Sequence, residues 1–515
     1  MYCFKLDSNL VPSLYLPILV VFLFIIVRRF LSARKLSGQV VPPSPPGLPI
    51  IGNLHQLIWG HHHRTLQALA QRHGPLFLIH LGFVPTVVVS SASMAEAVLK
   101  TQDHVCCGRP QQYTARGMLW DCRTVGFSSY GDRWRQLRRI AVVHLLSSKK
   151  VEAFRTLREE VASFIGRIRV ASQHDNHGHN KRPCINLTEL LVSLTKSVIS
   201  RAAFGNKLGD MDPRAVHRIF KEVTGMLQAV AVSDMFPQLG WVDRATGLHA
   251  KTKRIANKLD KILEGVLQEH ERSRLKDEEV RDLLDDLLLV YKEGSSEFKL
   301  DRTDVKGLIF DMFIAGTDTT SKLMEWVMAE LIKNPNEMEK VQLELREAVG
   351  AHGRILEEEM ATISRLQAVI KETLRLHPPA PLLIPHEVIQ TTKLKGYDIP
   401  AKTRVLINAW AIGRDHEAWE NADKFQPERF LPDSVDYSGR DFRFIPFGAG
   451  RRGCPGIAFG IRLVELTLAN MLYHFNWDLP NGQDLESFEL VESSGFSPGL
   501  QCPLTVVAKP YKHGQ

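Results

Sequence analysis

The sequence has few cysteines, and they follow no regular spacing. Seven cysteines in 515 residues stand at positions 3, 106, 107, 122, 184, 454 and 502. This scatter excludes a disulfide-stapled domain and predicts a reducing compartment, in which an important cysteine acts as a thiol or a metal ligand. Repeats of 20 to 50 residues and low-complexity tracts are also missing. The composition, 44% hydrophobic and 24% charged, is that of a folded globular protein.

The sequence also lacks a dense basic stripe, although its formal net charge is +8. Arg28, Arg29, Arg34 and Lys35, which follow the first apolar segment, supply four of those eight charges. A nucleic-acid-binding protein gathers basic side chains on one surface. We therefore expect no nucleic-acid partner.

An uncharged stretch over residues 10–27 predicts a membrane anchor. As a helix it would span about 27 Å, close to the thickness of a bilayer core. The basic residues behind it predict a single-pass topology with a cytosolic remainder. A cleaved signal peptide is the alternative, but its first region would be weakly charged and its apolar region unusually long. We predict an anchor and basic flank at 1–35, a stiff proline-rich hinge at 36–54 and a catalytic domain at 55–515.

The body of the chain reads as mainly α with a minor β-sheet region. Apolar runs predict strands at Leu76–Leu81, 86–89 and Arg404–Ile407, and helical patterns extend from about 130 to 377 and again after 456. The histidines at 61–63 and in the polar stretch 172–183 show no spacing typical of metal ligands, so we predict no metal site there.

The strongest chemical signal is F-I-P-F-G-A-G-R-R-G-C-P-G over residues 444–456. A helix is predicted from about Ile457, which places Cys454 at its N-terminus, where free N–H groups and the helix dipole lower a thiol pKa. Such a thiolate is either a nucleophile or a single axial metal ligand. A zinc site would need further cysteines or histidines nearby, and there are none.

This segment resembles the haem-binding loop of cytochromes P450, F-x-x-G-x-R-x-C-x-G, at Phe447, Gly450, Arg452, Cys454 and Gly456. The resemblance implies a cytochrome P450 fold that binds haem b. Cys454 would be the axial ligand of the haem iron. Phe447, Gly450 and Arg452 would contact the same cofactor.

Three charged residues extend the resemblance. Glu372 and Arg375 form an E-x-x-R pair one helical turn apart, and Arg429 follows in P-E-R-F. In the family such residues form a buried charge network, whereas the same pair alone would be read as a solvated surface ion pair.

A polar motif, A-G-T-D-T-T at 315–320, interrupts an apolar helical run over 305–331. Polar groups inside a buried helix cost free energy, which favours a functional groove over a solvent-facing side. The resemblance implies that Asp318 and Thr319 are catalytic and deliver protons to dioxygen at the haem.

Further residues match family positions beside the haem propionates. Trp134 and Arg138 lie four apart in W-R-Q-L-R, and an indole N–H and an arginine fork suit a carboxylate. His386 in L-L-I-P-H-E occupies a similar position in relatives. A purely structural histidine is its alternative.

Several phrases, among them K-E-T-L-R-L-H-P-P-A-P and N-A-W-A-I-G-R-D, resemble plant A-type enzymes of the 71 clan. The resemblance implies a monooxygenase of the endoplasmic reticulum that acts in plant secondary metabolism. The C-terminal S-P-G-L-Q-C-P-L departs from relatives, which usually carry R-K there, so no named substrate is transferred. Family position places substrate contacts in residues 116–124, 309–315, 380–384 and 495–497, with these side chains in the pocket: Ala315, Ala380, Leu382, Leu383 and Phe496. They are apolar, which predicts a small, largely apolar organic substrate such as a terpenoid, indole, phenylpropanoid or alkaloid.

The resemblance also implies partners. Electrons would come from NADPH through cytochrome P450 reductase, with cytochrome b5 as an additional partner. The basic side chains that would dock the acidic reductase are Arg133, Arg135, Arg139, Lys149 and Lys150. Two alternatives remain: an isomerase or dehydratase that works without O2, and a non-catalytic haem-binding protein. Neither explains a complete Asp318–Thr319 pair.

Overall fold

Helices make up most of the chain described by the computed structural model. The description covers residues 40–512 apart from 154, 174–182, 206–212, 274–281, 294–298, 351–354, 356, 432–434 and 481–482. The predicted anchor at 1–35 lies outside these residues. Within the described part of the chain, no helix is long and apolar enough to cross a membrane.

The first half of the chain alternates short and long helices around one hairpin and one short strand. Their bounds are α1 Leu54–Leu57, α2 His62–His73, β1 Leu76–Leu81, β2 Val84–Val89, α3 Ala92–Glu96, α4 Asp103–Cys106, α5 Tyr113–Met118, α6 Asp132–Arg139, α7 Ser148–Ala153, α8 Arg155–Gln173, β3 Ile185–Asn186, α9 Leu187–Phe204, α10 Pro213–Leu227, α11 Gly240–Ala245 and α12 Leu248–Ser273. Helices α3 and α6 each continue as a π-helical segment, Ala97–Thr101 and Ile140–Leu145.

The second half carries the longest helix and most of the strands. Its elements are α13 Leu283–Glu293, α14 Arg302–Lys333, α15 Pro335–Val349, α16 Glu357–Thr362, α17 Ser364–Leu376, β4 His386–Glu387, β5 Thr392–Leu394, β6 Tyr397–Ile399, β7 Arg404–Ile407, α18 Ala409–Ile412, α19 Ile457–His474, β8 Phe475–Asp478 and β9 Thr505–Pro510. Single 3₁₀ turns lie at Val232–Asp234, Pro237–Leu239, Pro427–Phe430 and Gly450–Arg452.

The strands form small sheets that join distant parts of the sequence. The largest has the order β1-β2-β7-β4, with β1 antiparallel to β2 and β2 parallel to β7 in a register that pairs Thr86 with Arg404. A second sheet has the order β3-β9-β8, and β5 pairs with β6. The three sequence-predicted strands are present, and the mainly helical fold with small sheets is confirmed.

Helix α14 runs through the centre of the helical part. Its first turn is closed by a capping box between Asp301 and Asp304, and Pro335 follows its C-cap, Asn334. Most of its side chains are buried, and Phe313 stacks on Phe220 with 4.1 Å between ring centroids. A helix that is buried on nearly all sides is a core element.

The proline-rich residues 40–54 lie against the sheets. The N–H of Leu78 in β1 donates to the Pro43 carbonyl at 2.8 Å, and the N–H of Asp398 in β6 donates to the Val40 carbonyl at 2.7 Å. The predicted hinge is therefore attached to the domain from Val40 onward.

Two hydrophobic cores meet at the segment that carries Cys454. Phe442, Ile445 and Ala449 belong to the core around the large sheet, whereas Phe444 and Phe459 belong to the helical core. The segment is thus held from both sides.

Candidate active site

The loop before α19 is built so that the Cys454 sulfur lies at the start of that helix. Gly448 and Gly450 have φ values of +68° and +65°, a region that favours glycine. A Cβ on Gly450 would lie 2.2 Å from the Leu99 carbonyl oxygen, so no other residue fits there. The Cys454 N–H donates to the Phe447 carbonyl at 2.9 Å, and the Gly456 N–H donates to the Cys454 Sγ at 3.4 Å.

The electrostatic environment of Cys454 differs from the sequence prediction. Burial raises the pKa of the Cys454 thiol, and the Gly456 N–H and the charge of Arg138 oppose this only in part. The N–H group at the start of the helix does lower this pKa, as predicted, but desolvation outweighs that one hydrogen bond, so the net shift is upward. A bound metal cation would supply the missing stabilisation, since a coordinating thiol is deprotonated.

Three arginines gather next to this loop. The Arg452 guanidinium donates to the Cys107 carbonyl at 2.7 Å and the Ser128 carbonyl at 2.8 Å, and it lies 4.1 Å from the Trp134 ring centroid. Burial lowers the pKa of Arg452 to about 10. Arg138 lies 5.7 Å from the same ring, and its guanidinium has no hydrogen-bond acceptor among the described residues.

Trp134 itself is buried, and its indole N–H donates to the Val125 carbonyl at 3.0 Å. In this structure it therefore supports the loop that carries Val125. Its predicted role toward a propionate stays a prediction.

Arg109, which the sequence reasoning missed, is the third member of the group. It is 5% exposed and donates to the carbonyls of Ile384 at 2.7 Å, Pro385 at 2.9 Å and Gly126 at 3.1 Å. Burial, reinforced by the charge of Arg452, lowers its pKa well below the ordinary value. It stands in the sequence C-G-R-P. The only signal there is an arginine between a glycine and a proline, which is not a motif for any function.

His386 is buried beside these arginines. Its Nδ1 lies 2.9 Å from the Cys106 carbonyl oxygen, which fixes the proton on Nδ1 in the neutral ring. Burial, and then the charge of Arg109, lowers its pKa well below the ordinary value. The structure therefore places a neutral histidine at this position.

No carboxylate bonds to Arg109, Arg138 or Arg452 among the described residues, although buried charges are normally paired. A ligand with two carboxylates beside the Cys454 sulfur would neutralise two of the three guanidinium charges. Haem has this chemistry: an iron for the thiolate and two propionates for the guanidinium groups. The residues present fit the cofactor that the sequence predicts.

On α14, Ala315 is exposed and Asp318 and Thr319 are half-buried, although the helix is otherwise enclosed. Ala315 and Thr319 are four residues apart and share a face, and the Thr319 hydroxyl donates to the Ala315 carbonyl at 2.5 Å. The Asp318 carboxylate accepts no hydrogen bond within the described residues. This face is therefore accessible, and it carries an acid and an alcohol.

Asp311, one turn before Ala315, is a second residue that the sequence reasoning missed. Its carboxylate accepts the N–H groups of Val125 and Gly126, the latter at 3.4 Å. Burial raises its pKa to about 7, which those two N–H groups only partly offset. Since the Val125 and Gly126 carbonyls accept from Trp134 and Arg109, Asp311 connects α14 to the peptide that supports the arginine cluster.

Glu372, Arg375 and Arg429 form one buried cluster. Arg375 donates to both Glu372 carboxylate oxygens at 2.7 Å, and Arg429 donates to one of them at 3.2 Å. Arg375 also donates to the carbonyls of Gly413 and Ala422, each at 2.6 Å. Removing one member of such a buried pair typically costs about 3–5 kcal/mol. The cluster therefore holds α17 against residues 413–429.

The predicted substrate residues lie in separate segments. Leu383 has a φ of +52°, closes a turn by donating its N–H to the Ala380 carbonyl at 3.0 Å, and packs beside Gly448. Leu382 and Ala380 are half-buried. Phe496 is 47% exposed and lies in the C-terminal segment, which contacts α14 one turn beyond Thr319.

The predicted reductase-docking side chains are not equally available. Arg133 donates to Asp304 at 2.6 Å, and Arg135 pairs with Asp132. Arg139 and Lys149 are exposed, and the side chain of Lys150 lies outside the described residues.

The histidines at 61–63 start helix α2 or lie just before it. His63 is buried and lies 3.2 Å from Glu492, and among the described residues no group of three or more potential metal ligands occurs.

The chain matches the family model for Cytochrome P450 over residues 42–498. It is 47% identical over 465 residues to cytochrome P450 71A1 of Persea americana, covering 89% of this chain and 91% of that protein. It is 43% identical over 506 residues to the phenylacetaldehyde oxime monooxygenase of Prunus mume, covering 98% and 95%. A zebra fish cytochrome P450 solved with abiraterone superposes with a TM-score of 0.73 at 27% identity, over 88% of this chain and 99% of that one.

Proposed function

This chain belongs to the cytochrome P450 family, and from that premise we propose that it inserts one oxygen atom of O2 into a small, largely apolar plant specialised metabolite. The family activity is that of a haem-thiolate monooxygenase, and its electrons come from NAD(P)H through a reductase. The substrate class and the cellular location are our proposals.

The observation that carries the proposal is the accessible face of α14. Asp318 and Thr319 lie on a half-buried strip in the middle of an otherwise enclosed helix, where a polar pair costs stability. Bound haem supplies the activation of dioxygen. Asp318 and Thr319 would hold and pass protons at their carboxylate and hydroxyl oxygens, and Cys454 would hold the iron through Sγ.

The remaining residues would position the cofactor and exclude water. Arg109, Arg138 and Arg452 would bind the propionates, and His386 lies buried beside these arginines. Apolar side chains at Ala315, Ala380 and Leu383 would shape the substrate space. This composition supports a substrate that is bound mainly by apolar contact.

The Cys454→Ser variant tests the proposed metal ligand. We expect wild-type protein with reduced haem and carbon monoxide to show the Soret band typical of thiolate ligation, and the variant to lose it, because a serine oxygen is a much poorer donor. An unchanged band in the variant would exclude Cys454 as the ligand. Substrate turnover should further require both NADPH and reductase; turnover without them would favour the isomerase or dehydratase alternative.

We also propose that the protein is anchored in the endoplasmic reticulum membrane. The uncharged residues 10–27 and the basic residues behind them support this at the sequence level. Exposed apolar side chains support it in the domain: Trp59 and Trp241 are 82% and 64% exposed. Their segments are joined through the β1–β2 turn, since the Gly82 N–H donates to the Ile51 carbonyl and the Phe83 N–H to the Met235 carbonyl. We propose that these side chains form one membrane-contacting patch, because large exposed apolar areas mark such surfaces.

A further inference from the structure

The C-terminal segment 491–501, which carries Phe496, is fastened to one turn of α14. The buried Trp326 indole N–H donates to the Pro498 carbonyl at 3.2 Å, and the Leu500 N–H donates to the Glu325 carboxylate at 3.3 Å. A Cβ on Gly499 would lie 2.9 Å from the same carboxylate. The backbone of the segment therefore lies directly against side chains of the helix.

Lys322 makes the hydrogen bond of this contact that lies nearest to Phe496. Its ammonium group donates to the Ser497 carbonyl, the residue next to Phe496. Burial lowers the pKa of Lys322, and the negative charges of Asp318 and Glu325 oppose this. A buried ammonium group costs free energy unless it is hydrogen-bonded. We therefore expect the hydrogen bond from Lys322 to Ser497 to be strong and to favour one position of the segment.

The space around this bond has both polar and apolar walls, the latter including Val192 and Leu500. A cavity of about 160 Å³ lies between α14 and the segment, and it is lined by Thr188, Ser321, Lys322, Glu325, Ser493 and Gln501 among others. A cavity at this point leaves the segment room to move when its ties are loosened. Gly495, which precedes Phe496, has a φ of +134° and offers a flexible joint.

The position of Lys322 on the helix relates its hydrogen bond with Ser497 to the proposed catalytic residues. Lys322 follows Asp318 by four residues and Thr319 by three, so all three lie within one turn on neighbouring faces. We propose that Lys322 is a specificity-determining positioning residue that fixes the wall of the substrate pocket carrying Phe496 relative to the proton-delivery pair. This inference rests on the proposed function, because it takes Phe496 as part of that pocket.

Hydrogen exchange tests the tie itself. In haem-loaded full-length protein, Lys322→Met keeps the apolar stem but removes the donor, and we expect amide exchange within 493–501 to become about ten-fold faster, the loss expected for a hydrogen bond to a charged group. Lys322→Arg retains the charge and should stay close to wild type. Lys333→Met is the matched control, since Lys333 belongs to the same helix and donates to the Phe488 carbonyl at 3.0 Å outside this region.

Azole binding tests the effect on the pocket without requiring turnover. Imidazole is small, whereas 4-phenylimidazole also contacts the pocket wall, and each shifts the Soret band when it binds haem. Lys322→Met should weaken 4-phenylimidazole binding about five-fold and leave imidazole binding unchanged, because the wall must be ordered again on binding. If Lys322→Met does not retain haem, Lys322→Gln serves for the same comparison.

Unchanged amide exchange over 493–501 in Lys322→Met would show that the hydrogen bond from Lys322 to Ser497 does not hold the segment. Faster exchange with an unchanged ratio of the two azole affinities would overturn the role in specificity. If both changes occur in a protein that oxidises no substrate, the inference about Lys322 stands and the proposed function fails.

Discussion

At the scale of single residues, the site depends on arginine charges that no carboxylate of the described residues pairs with. Arg109 and Arg452 give all their described hydrogen bonds to backbone carbonyls, and Arg138 has no acceptor within the described residues. Each therefore retains part of its desolvation cost until an anion arrives. Cofactor binding and stability should be closely linked in this protein.

The hydroxyl of Thr319 gives the first prediction at this scale. In Thr319→Ala we expect NADPH consumption to continue while the product formed per NADPH falls about ten-fold and peroxide rises, because proton delivery at the pocket wall is lost. The ratio of product to NADPH, measured with reconstituted reductase, checks this. Thr317→Ala is the control, since the Thr317 hydroxyl belongs to the same motif but is buried against the Phe313 carbonyl. A wild-type ratio in Thr319→Ala would remove the proposed role.

The carboxyl of Asp311 predicts a pH dependence. Its pKa is raised from 3.8 to about 7 by burial, so between these values the folded state keeps a proton that the unfolded chain has lost. The free energy of unfolding should therefore fall as the pH rises from about 4 to about 7, by about 3 kcal/mol. Asp311→Asn should flatten this part of the profile, as measured by denaturant unfolding at several pH values. Equal slopes for the two proteins would contradict the assignment.

Residues with a chemical motif around them were open to prediction, whereas those defined by tertiary contact were not. Cys454, Arg452 and Glu372 stand in motifs whose spacing indicates which residues or cofactor they act with. Arg109 and Asp311 become functional only because the segment 124–128 folds between α14 and the arginine cluster. No local pattern in the sequence encodes that contact.

At the scale of elements, the same distinction holds. The strand at Leu76–Leu81 was predictable because its apolar run is bounded by turns, and the core helix α14 was predictable because its apolar pattern is long. The π-helical segments Ala97–Thr101 and Ile140–Leu145 were not. A π-helical turn holds more residues than an α-helical turn, and packing against neighbouring elements decides where it forms. Local helix propensity carries no information on that packing.

The loop that ends at α19 gives a prediction at this scale. Gly450→Ala would place a methyl group 2.2 Å from the Leu99 carbonyl oxygen at a φ of +65°, so the loop must shift and with it Cys454. We expect a loss of about 3 kcal/mol or more and little bound haem. Haem content per protein, measured by pyridine haemochromogen, checks the result.

Gly166→Ala, inside α8 with no atom within 4 Å of the added methyl, is the control for that substitution. It should be neutral or slightly stabilising, since alanine is the better helix former. Full haem content in Gly450→Ala would show that the close approach is not needed.

At the scale of the whole molecule, Trp59 and Trp241 are exposed apolar side chains on segments that both contact the β1–β2 turn. In protein that lacks residues 1–35, this patch should still give measurable binding to phosphatidylcholine vesicles. The double variant Trp59→Ser/Trp241→Ser should lower the bound fraction about ten-fold or more, because two large apolar side chains no longer leave water. Cosedimentation with vesicles measures this.

The matched control is Leu343→Ser, since Leu343 is a comparably exposed apolar side chain on α15. It should bind vesicles like the parent protein. An equal loss in both proteins would show that the patch has no special role.

The large sheet has a consequence for how the protein is made. Strand β2 ends at Val89, but its parallel partner β7 begins at Arg404, and Gly450 must reach the carbonyl of Leu99. At roughly 5–20 residues per second, a ribosome needs about 25–100 s to finish a chain of this length. For most of that time the apolar hairpin β1–β2 has no partner on one edge and the arginine cluster has no cysteine loop beside it. Haem can therefore be captured only near the end of synthesis, and the growing chain should depend on chaperones that shield strand edges until then.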